Sequence, residues 1–269
     1  MNRISLSEAR EVFFSSEAQY VSQEQSCIYY DNFSGEVALD IYMTYGCLVV
    51  KNDSDWHIHA ISAESDLPSA IEEVSRYMAS DTESLRVLTW NNIPEELKDK
   101  CGAYKLAREY LPYSDPSIRQ LTIDDYECVK KCCSYETDDN QIGQNMAQDF
   151  LTYYNDYMND THTVNLGLFI DNSLVGFVQS FEQKNRSIST INIYVTRMQR
   201  KKGYAKRLLS AICATNKNMI YCYSCVKNNI ASFNTAKSCG FQFKGAYLFI
   251  WKSPTDLKVC RGYLFVFCI

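Results

Sequence analysis

The chain has 269 residues, of which 46% are apolar and 22% are charged, a balance typical of a globular protein with a sizeable core. The opening residues, from Met1 to Glu11, contain two carboxylates and no long apolar run, so a secretion signal is not predicted. No apolar stretch approaches the length that spans a bilayer, and we expect a soluble, cytoplasmic protein without a membrane partner.

Charge is divided unevenly along the chain. Residues 1–118 hold 9 Lys and Arg against 20 Asp and Glu, whereas residues 119–269 hold 18 against 12. Such asymmetry favours two domains of different character. The overall charge of −5 argues against a nucleic-acid partner, because nucleic-acid-binding domains are usually broadly basic.

The 12 cysteines are predicted to be reduced thiols, because nothing indicates an oxidising compartment. Cys222 and Cys225 have the C-x-x-C spacing, but no second pair lies nearby at zinc spacing. His57 and His59 alternate along one strand, and nothing nearby completes a ligand set. We therefore predict no metal site.

The first half of the chain reads as a helix, an antiparallel meander and a second helix with a following strand. Ser5 and Glu8 have the spacing of a capping box, which predicts a helix over 5–15. Strands are predicted at 27–30, 37–45, 47–51 and 56–61. A helix over 68–79, a strand over 85–90 and a short helix from Pro94 follow. Residues 103–111 receive no assignment. Turn residues at 113–116 predict a boundary between domains 1–115 and 116–269.

The second half alternates strands with helices. The predicted strands are 118–121, 166–170, 174–182, 189–195, 220–226, 241–252 and 262–269, and the predicted helices are 122–133, 143–157, 202–215 and 229–238. Strands and helices in this order predict an α/β fold, a mixed sheet with helices on its faces.

A dense set of cations follows the strand that ends at Val195. We call residues 197–207 the basic turn; its cations are Arg197, Arg200, Lys201, Lys202, Lys206 and Arg207. Backbone N–H groups at a helix start lack partners and the helix dipole favours negative charge there, so the turn is predicted to bind a pyrophosphate. Gly203 lacks a Cβ and would allow close backbone approach. The alternative is a solvated basic helix start.

Two motifs carry a family resemblance. Arg200-Lys-Lys-Gly203-Tyr-Ala205 fits the signature Q/R-x-x-G-x-G/A, and Asn229 stands eleven residues before Gly240-Phe241. With the hairpin around Gly176, residues 117–269 resemble the GNAT superfamily of acyl-CoA-dependent N-acetyltransferases. The resemblance implies a GNAT-like mixed sheet after a smaller N-terminal α/β domain. It also implies acetyl-CoA or another acyl-CoA as co-substrate, and no metal.

The resemblance implies roles for individual residues. A backbone N–H near Tyr194 or Val195 would polarise the thioester carbonyl, and Asn229 would hydrogen-bond the cofactor arm, although helix capping alone also explains an Asn there. The implied cofactor-binding residues are Tyr194, Val195, Arg200, Lys201, Lys202, Gly203, Tyr204, Ala205, Lys206, Asn229 and Ser232.

The family's usual general acid, a Tyr seven residues after the Asn, is replaced by Ala236. Either the thiolate leaves without an acid, or Tyr221 or Tyr223 substitutes; the alternative for both tyrosines is simple packing. Glu182 is the candidate base, with a surface rim position as its alternative. Ser189 and Asn192 could only position a water.

The implied function is transfer of an acetyl or other short acyl group from acyl-CoA to an amine of a small molecule or amino acid. The alternative is a catalytically weak coenzyme A-binding module that serves regulation or interaction. The first domain could be a degenerate copy of the second fold without the basic turn, its acidity steering a cationic acceptor. The sequence names neither the acceptor nor the oligomeric state.

Overall fold

The structure is a computed structural model, and it describes residues 1–16, 40–52, 55–78, 84–89, 92–134, 141–182 and 188–251. The strands predicted at 27–30 and 262–269 lie outside these residues. The strands are β1 (Asn2–Arg3), β2 (Asp40–Thr44), β3 (Cys47–Asn52), β4 (Asp55–Ala60), β5 (Ser84–Leu88), β6 (Cys101–Glu109), β7 (Ile118–Gln120), β8 (Thr163–Ile170), β9 (Ser173–Glu182), β10 (Ile188–Val195), β11 (Ile220–Val226) and β12 (Gln242–Trp251).

The α-helices are α1 (Leu6–Ser15), α2 (Leu67–Tyr77), α3 (Tyr126–Cys133), α4 (Gln141–Thr152), α5 (Tyr154–Asn159), α6 (Tyr204–Ile212) and α7 (Ile230–Ser238). Short 3₁₀ helices cover Glu95–Lys100, Ile123–Asp125 and Arg197–Gln199. The capping box predicted at Ser5 and Glu8 begins α1. Asp66 caps α2, with Pro68 in the first turn where its missing N–H costs nothing.

The chain divides into two units. The first unit comprises Met1–Lys105 and Phe243–Phe265, and the second comprises Leu106–Gln242 and Val266–Ile269. The predicted division into 1–115 and 116–269 stays a prediction about independent domains. The predicted boundary after residue 115 differs from the observed division in two ways. The observed division falls within β6, and β12 belongs to the first unit.

The first unit is a sheet in the order β1-β2-β3-β4-β5-β12. The predicted meander is confirmed for β2, β3 and β4, which pair antiparallel, and β5 then runs parallel to β4 after α2. β12 pairs antiparallel with β5, Tyr247 opposite Leu88. Its Leu248 is fully buried in the same core cluster as Val49 and Val74, so a late segment of the chain completes this core.

The second unit is a sheet in the order β6-β11-β10-β9-β8-β7. β8, β9 and β10 pair antiparallel, and β11 runs parallel to β10 after α6. The predicted hairpin turns at Asp171-Asn172, both with positive φ as a tight two-residue turn requires. α3 and α4 pack on one face of the sheet through an aromatic core that includes Phe150, Phe177 and Tyr194.

The two units share one topology. In each, an edge strand and two antiparallel strands lead to a strand that runs parallel to its successor after a helix. In each, the sixth strand of the sheet is out of chain order: β12, from late in the chain, lies beside β5, and β6, which directly precedes β7, lies beside β11. The repeat supports the hypothesis that the first domain is a copy of the second fold.

Two sequence predictions need correction. The helix predicted over 143–157 is two helices, because the backbone departs from helical geometry at Tyr153 and the buried Tyr154 turns its hydroxyl to the Thr122 carbonyl at 2.7 Å. Residues 103–111, left unassigned, belong mostly to β6. The buried Lys105 and Arg108 obscure its apolar pattern.

Candidate functional site

The parallel strands β10 and β11 separate before they end. Their pairing runs over three positions, Ile188–Ile220 to Thr190–Cys222, although both strands are described to their ends at Val195 and Val226. Beyond Thr190 the described strands therefore leave a gap at their carboxyl ends. Ligands of α/β sheets bind at this end of the strands.

The basic turn follows directly from the open end of β10. Gly203 has φ +79° and no atom lies within 4 Å of where its Cβ would stand, so glycine is required there for conformation and not for space. α6 then begins at Tyr204. Its first N–H groups, from Tyr204 to Lys206, precede the first intrahelical bond from Arg207 N to Gly203 O and point to where an anion would bind.

The cations of the basic turn differ in what they do. Arg200 Nε donates to the Val195 carbonyl at 3.0 Å and ties the turn to the end of β10. Lys202 Nζ contacts Gln199 Oε1 at 2.7 Å, whereas Lys201 and Lys206 are exposed. Arg207 is held by Asp115, with two bonds of 2.6 and 2.9 Å. The place of Arg207 in the turn suggested a role in phosphate binding. Its pair with Asp115 makes it a structural cation instead.

The Arg207–Asp115 pair anchors the start of α6. Arg207 lowers the pKa of Asp115 to about 2 by donating two hydrogen bonds, and the Ser117 N–H and Tyr113 hydroxyl add to it. Burial, and then the neighbouring Asp115, raise the pKa of Tyr113. The segment before β7 thus holds the helix whose N-terminus faces the candidate anion site.

Gly176 sets the distance between β9 and the end of β10. A Cβ there would stand 2.6 Å from the Tyr194 carbonyl oxygen and 3.1 Å from Val195 Cα. Both contacts are backbone atoms, so no side chain could rotate away. The close approach fixes the two residues whose N–H groups are predicted to polarise the thioester carbonyl.

Asn229 caps α7, as the simpler interpretation predicted: its Oδ1 accepts from Ser232 N at 3.0 Å. Ser232 is fully buried, and its Oγ lies 2.8 Å from the Tyr223 hydroxyl. Ser232 is thus engaged in packing α7 on β11. The cofactor contacts predicted for both residues stay predictions.

The three candidate catalytic side chains do not meet at the gap. Tyr221 and Glu182 both lie opposite Ser189, at the amino end of β10 and about 20 Å along the strand from Val195. The Tyr221 hydroxyl contacts Thr215 Oγ1 at 3.0 Å and Asn216 N at 2.9 Å, and burial raises its pKa. Tyr223 is buried under α7. This placement favours the packing interpretation for both tyrosines, and Ala236 is itself fully buried.

A pocket of about 280 Å³ lies beside the basic turn, between α3, the β8–β9 turn and the end of β10. Lys131 and Thr196 line it, and among the described residues the buried Thr196 Oγ1 has no hydrogen-bond partner. Neither residue was predicted from the sequence to lie at the site. Only their positions, one on a helix and one directly after a strand, could have indicated that they lie near the turn.

His57 and His59 stack in the first unit with ring centroids 6.3 Å apart. Burial, followed by repulsion from His57, lowers the pKa of His59 to about 3, so its imidazole is neutral. Across the described ranges no group of three or more metal-ligating side chains occurs. The nine cysteines in those ranges are free thiols, and Cys222 and Cys225 are both buried.

Residues 117–241 match the sequence model of the Acetyltransferase (GNAT) family. The matched segment, 125 of the chain's 269 residues, resembles a GNAT acetyltransferase domain. It falls within the second unit and contains the gap, the basic turn and Asn229. The family that this segment matches is one of acetyltransferases.

Solved structures extend the likeness of fold to most of the chain. An acetyltransferase of the GNAT family from Colwellia psychrerythraea superposes with a TM-score of 0.55 at 13% identity, covering 93% of this chain and 99% of that chain. A Drosophila protein gives a TM-score of 0.51 at 10% identity, covering 94% and 99%. No curated protein matches. None of the helices within the described ranges has the length and apolar character needed to cross a membrane.

Proposed function

We propose that the GNAT domain transfers an acetyl or other short acyl group from acyl-CoA to the amine of a small molecule or amino acid. The observation that carries the proposal is the coincidence of two features at one end of the sheet. β10 and β11 separate after Thr190, and the basic turn with its unpaired helical N–H groups begins directly after β10. An elongated ligand with an anionic end suits this arrangement.

In the proposed site the pyrophosphate binds the N–H groups of Tyr204, Ala205 and Lys206, with Lys201 and Lys206 as exposed counter-charges. The acyl arm follows the gap past Val195. Arg200 keeps the turn in register with the strand by its bond to the Val195 carbonyl. A backbone N–H at Tyr194 or Val195 would donate to the carbonyl oxygen as it gains charge.

The amine lone pair forms the new N–C bond to the thioester carbonyl. The C–S bond then breaks, and its electron pair leaves on sulfur as the thiolate of coenzyme A. The amine proton passes to water, because Tyr221 and Glu182 lie away from the gap and the Tyr223 hydroxyl is bonded to Ser232. A thiol with a pKa of about 8.5 leaves tolerably as a thiolate near neutral pH.

A second function, coenzyme A binding with little chemistry, is favoured by one observation. Ala236 is buried where the family usually places its acid, and both tyrosines that could substitute are engaged in packing. Cofactor binding without turnover would be the signature of this function.

The two functions are separated by following thiol release from acetyl-CoA over a panel of amines, with calorimetric binding of coenzyme A measured alongside. Turnover on at least one amine with a single acyl group transferred supports the enzyme. Binding without turnover on the whole panel supports the binding module. Absence of both binding and turnover would contradict the proposed site altogether.

A further inference from the structure

Three buried amides form a row across neighbouring strands of the second unit. Asn165 on β8 lies opposite Gln179 on β9, and Gln179 lies opposite Asn192 on β10. Their exposed fractions are 3%, 3% and 7%. We call these three residues the amide row. Burying three amides side by side costs free energy unless each is hydrogen-bonded.

The amide row is satisfied at one end only. Asn165 Nδ2 donates to the Tyr157 carbonyl at 3.0 Å, and Gln179 Nε2 donates to Asn165 Oδ1 at 2.9 Å. At the other end Asn192 Oδ1 is buried and has no hydrogen-bond partner among the described residues. Asn192 lies two residues beyond Thr190, where the pairing with β11 stops. The unsatisfied acceptor is therefore beside the gap.

Asn192 faces the side of the sheet opposite to Val195 and α6. Gly176 lies opposite Val195 and would contact Leu208 of α6, so α6 covers the Val195 face. Tyr223, which packs under α7, belongs to this face as well. Asn192 alternates with Ile193 and shares the face of Tyr194, which α3 and α4 cover. A cofactor held by the basic turn and α7 would not contact Asn192. Asn192 would then face a second ligand that enters from the other side of the sheet.

Within the described residues, the strand faces around Asn192 carry no charged side chain. Its face of β9, β10 and β11 carries Phe177, Gln179, Phe181, Thr190, Tyr194, Cys222 and Ser224. The buried carboxylate of the covering elements, Asp125, is paired with Arg119, and Asp149 accepts from the Tyr157 hydroxyl at 3.1 Å. An ammonium ion bound against these strand faces would lose its hydration without gaining a counter-charge from the strands themselves.

We infer that Asn192 is the acceptor-positioning residue: its Oδ1 accepts a hydrogen bond from the N–H of an uncharged, weakly basic amine that enters the gap from the α3 and α4 side. The inference rests on the proposed function and names the acceptor class. An arylamine, which is neutral at pH 7, fits this site better than an alkylamine, which is protonated. Gln179, which Asn165 holds by a hydrogen bond, lies opposite Asn192 in the sheet.

The experiment compares Asn192→Ala and Asn192→Asp with wild type, and uses Asn155→Ala, an exposed asparagine on α5, as a matched control. Each protein is assayed for coenzyme A affinity, thermal midpoint and kcat/KM with acetyl-CoA on an arylamine and an alkylamine of similar size. We expect Asn192→Ala to keep coenzyme A affinity within about twofold and to lose roughly tenfold in kcat/KM on the arylamine, the value of one hydrogen bond. Asn192→Asp should shift the preference toward the alkylamine, because it adds a counter-charge.

The inference is overturned if Asn192→Ala behaves like Asn155→Ala, or if it loses coenzyme A affinity, which would place Asn192 on the cofactor. It is also overturned if both Asn192 variants fail to fold, which would make the residue structural. A wild-type protein that binds coenzyme A but turns over neither amine, nor any other in the panel, refutes the proposed function and this inference with it. That outcome differs from the others because it appears in the wild type.

Discussion

Two glycines constrain the candidate site at the residue scale, and they do so for different physical reasons. Gly203 has a left-handed backbone in open space, whereas Gly176 has its Cβ position occupied by the backbone of β10. The same substitution should therefore affect coenzyme A binding through conformation in one case and through displacement of a strand in the other.

Gly203→Ala is expected to weaken coenzyme A binding about tenfold, because a left-handed alanine costs about 1–2 kcal/mol and the turn would relax toward another conformation. Isothermal titration calorimetry measures the change. Gly46→Ala is the matched control, since Gly46 has φ +69° in the first unit. It should carry a similar backbone cost and leave the affinity as in wild type. Equal losses in the two variants would contradict the role of the turn.

Gly176→Ala should lower the free energy of unfolding by about 1–3 kcal/mol and also weaken coenzyme A binding, because the methyl group pushes on Tyr194 and Val195. Gly167→Ala is the comparison. The three atoms nearest to its Cβ position belong to the side chains of Leu121, Leu174 and Phe169. We expect Gly167→Ala to destabilise without changing the affinity. Urea unfolding and calorimetry separate the two, and an unchanged affinity in Gly176→Ala would show that the end of β10 does not contribute.

Tyr223→Phe tests whether Tyr223 acts as the general acid. Because its hydroxyl is bonded to the buried Ser232, we expect a loss of about 1 kcal/mol in stability and a kcat within twofold of wild type. Steady-state kinetics at several pH values gives the answer. A kcat reduced tenfold or more, with the alkaline limb of the pH profile removed, would restore Tyr223 as the acid.

At the scale of elements, the first turn of α6 is tied by one ion pair to a segment far earlier in the chain. Asp115 and Arg207 expose 8% and 30% of their side chains. The folded pKa of Asp115, about 2, lies below the ordinary value of 3.8. The pair therefore stabilises the fold above about pH 4, and that contribution is lost as the pH falls toward 2.

Asp115→Asn is expected to reduce the free energy of unfolding by about 1–3 kcal/mol at pH 7, with a smaller difference from wild type at pH 3. Asp40→Asn is the control, because the Arg3–Asp40 pair is exposed and worth less than about 1 kcal/mol. Denaturant unfolding at both pH values measures the difference. If the difference in unfolding free energy between Asp115→Asn and wild type grew on acidification, the assignment of the ion pair would be contradicted.

Elements with a local physical signal were predictable from the sequence. The α1 capping box, the Asp171-Asn172 turn and the Asn229 cap depend on side chains within a few residues of one another. β6 was not predictable, because buried Lys105 and Arg108 break its apolar pattern. The gap was not predictable either, since the point where β10 and β11 part depends on packing across the sheet and leaves no mark on either strand.

At the scale of the whole molecule, the first unit is completed by β12, a strand from a distant part of the chain. Consecutive elements are usually neighbours in space, so the sequence favoured β12 as part of the second fold. The motifs of the candidate site were still found, because they lie between residues 176 and 241, inside the second unit. What the sequence lacked was any local feature that assigns β12 to β5.

Leu248→Ala should therefore destabilise strands that lie far earlier in the sequence. Leu248 is fully buried in the core of the first unit, and its truncation should cost about 2–5 kcal/mol. Hydrogen exchange followed by mass spectrometry should show lost protection in β3, β4 and β5. Leu209→Ala, fully buried on α6, is the control and should deprotect the second unit. Protection lost only in the second unit after Leu248→Ala would contradict the assignment of β12.

The late position of β12 also bears on how the protein is made. During synthesis β5 emerges long before β12, which begins only at Gln242. Until then the nascent first unit presents an unpaired strand edge and lacks part of its apolar core, both of which promote association with other chains. Ribosome-associated chaperones would shield this edge, and slowing translation after residue 110 should increase the fraction of chains that aggregate before release.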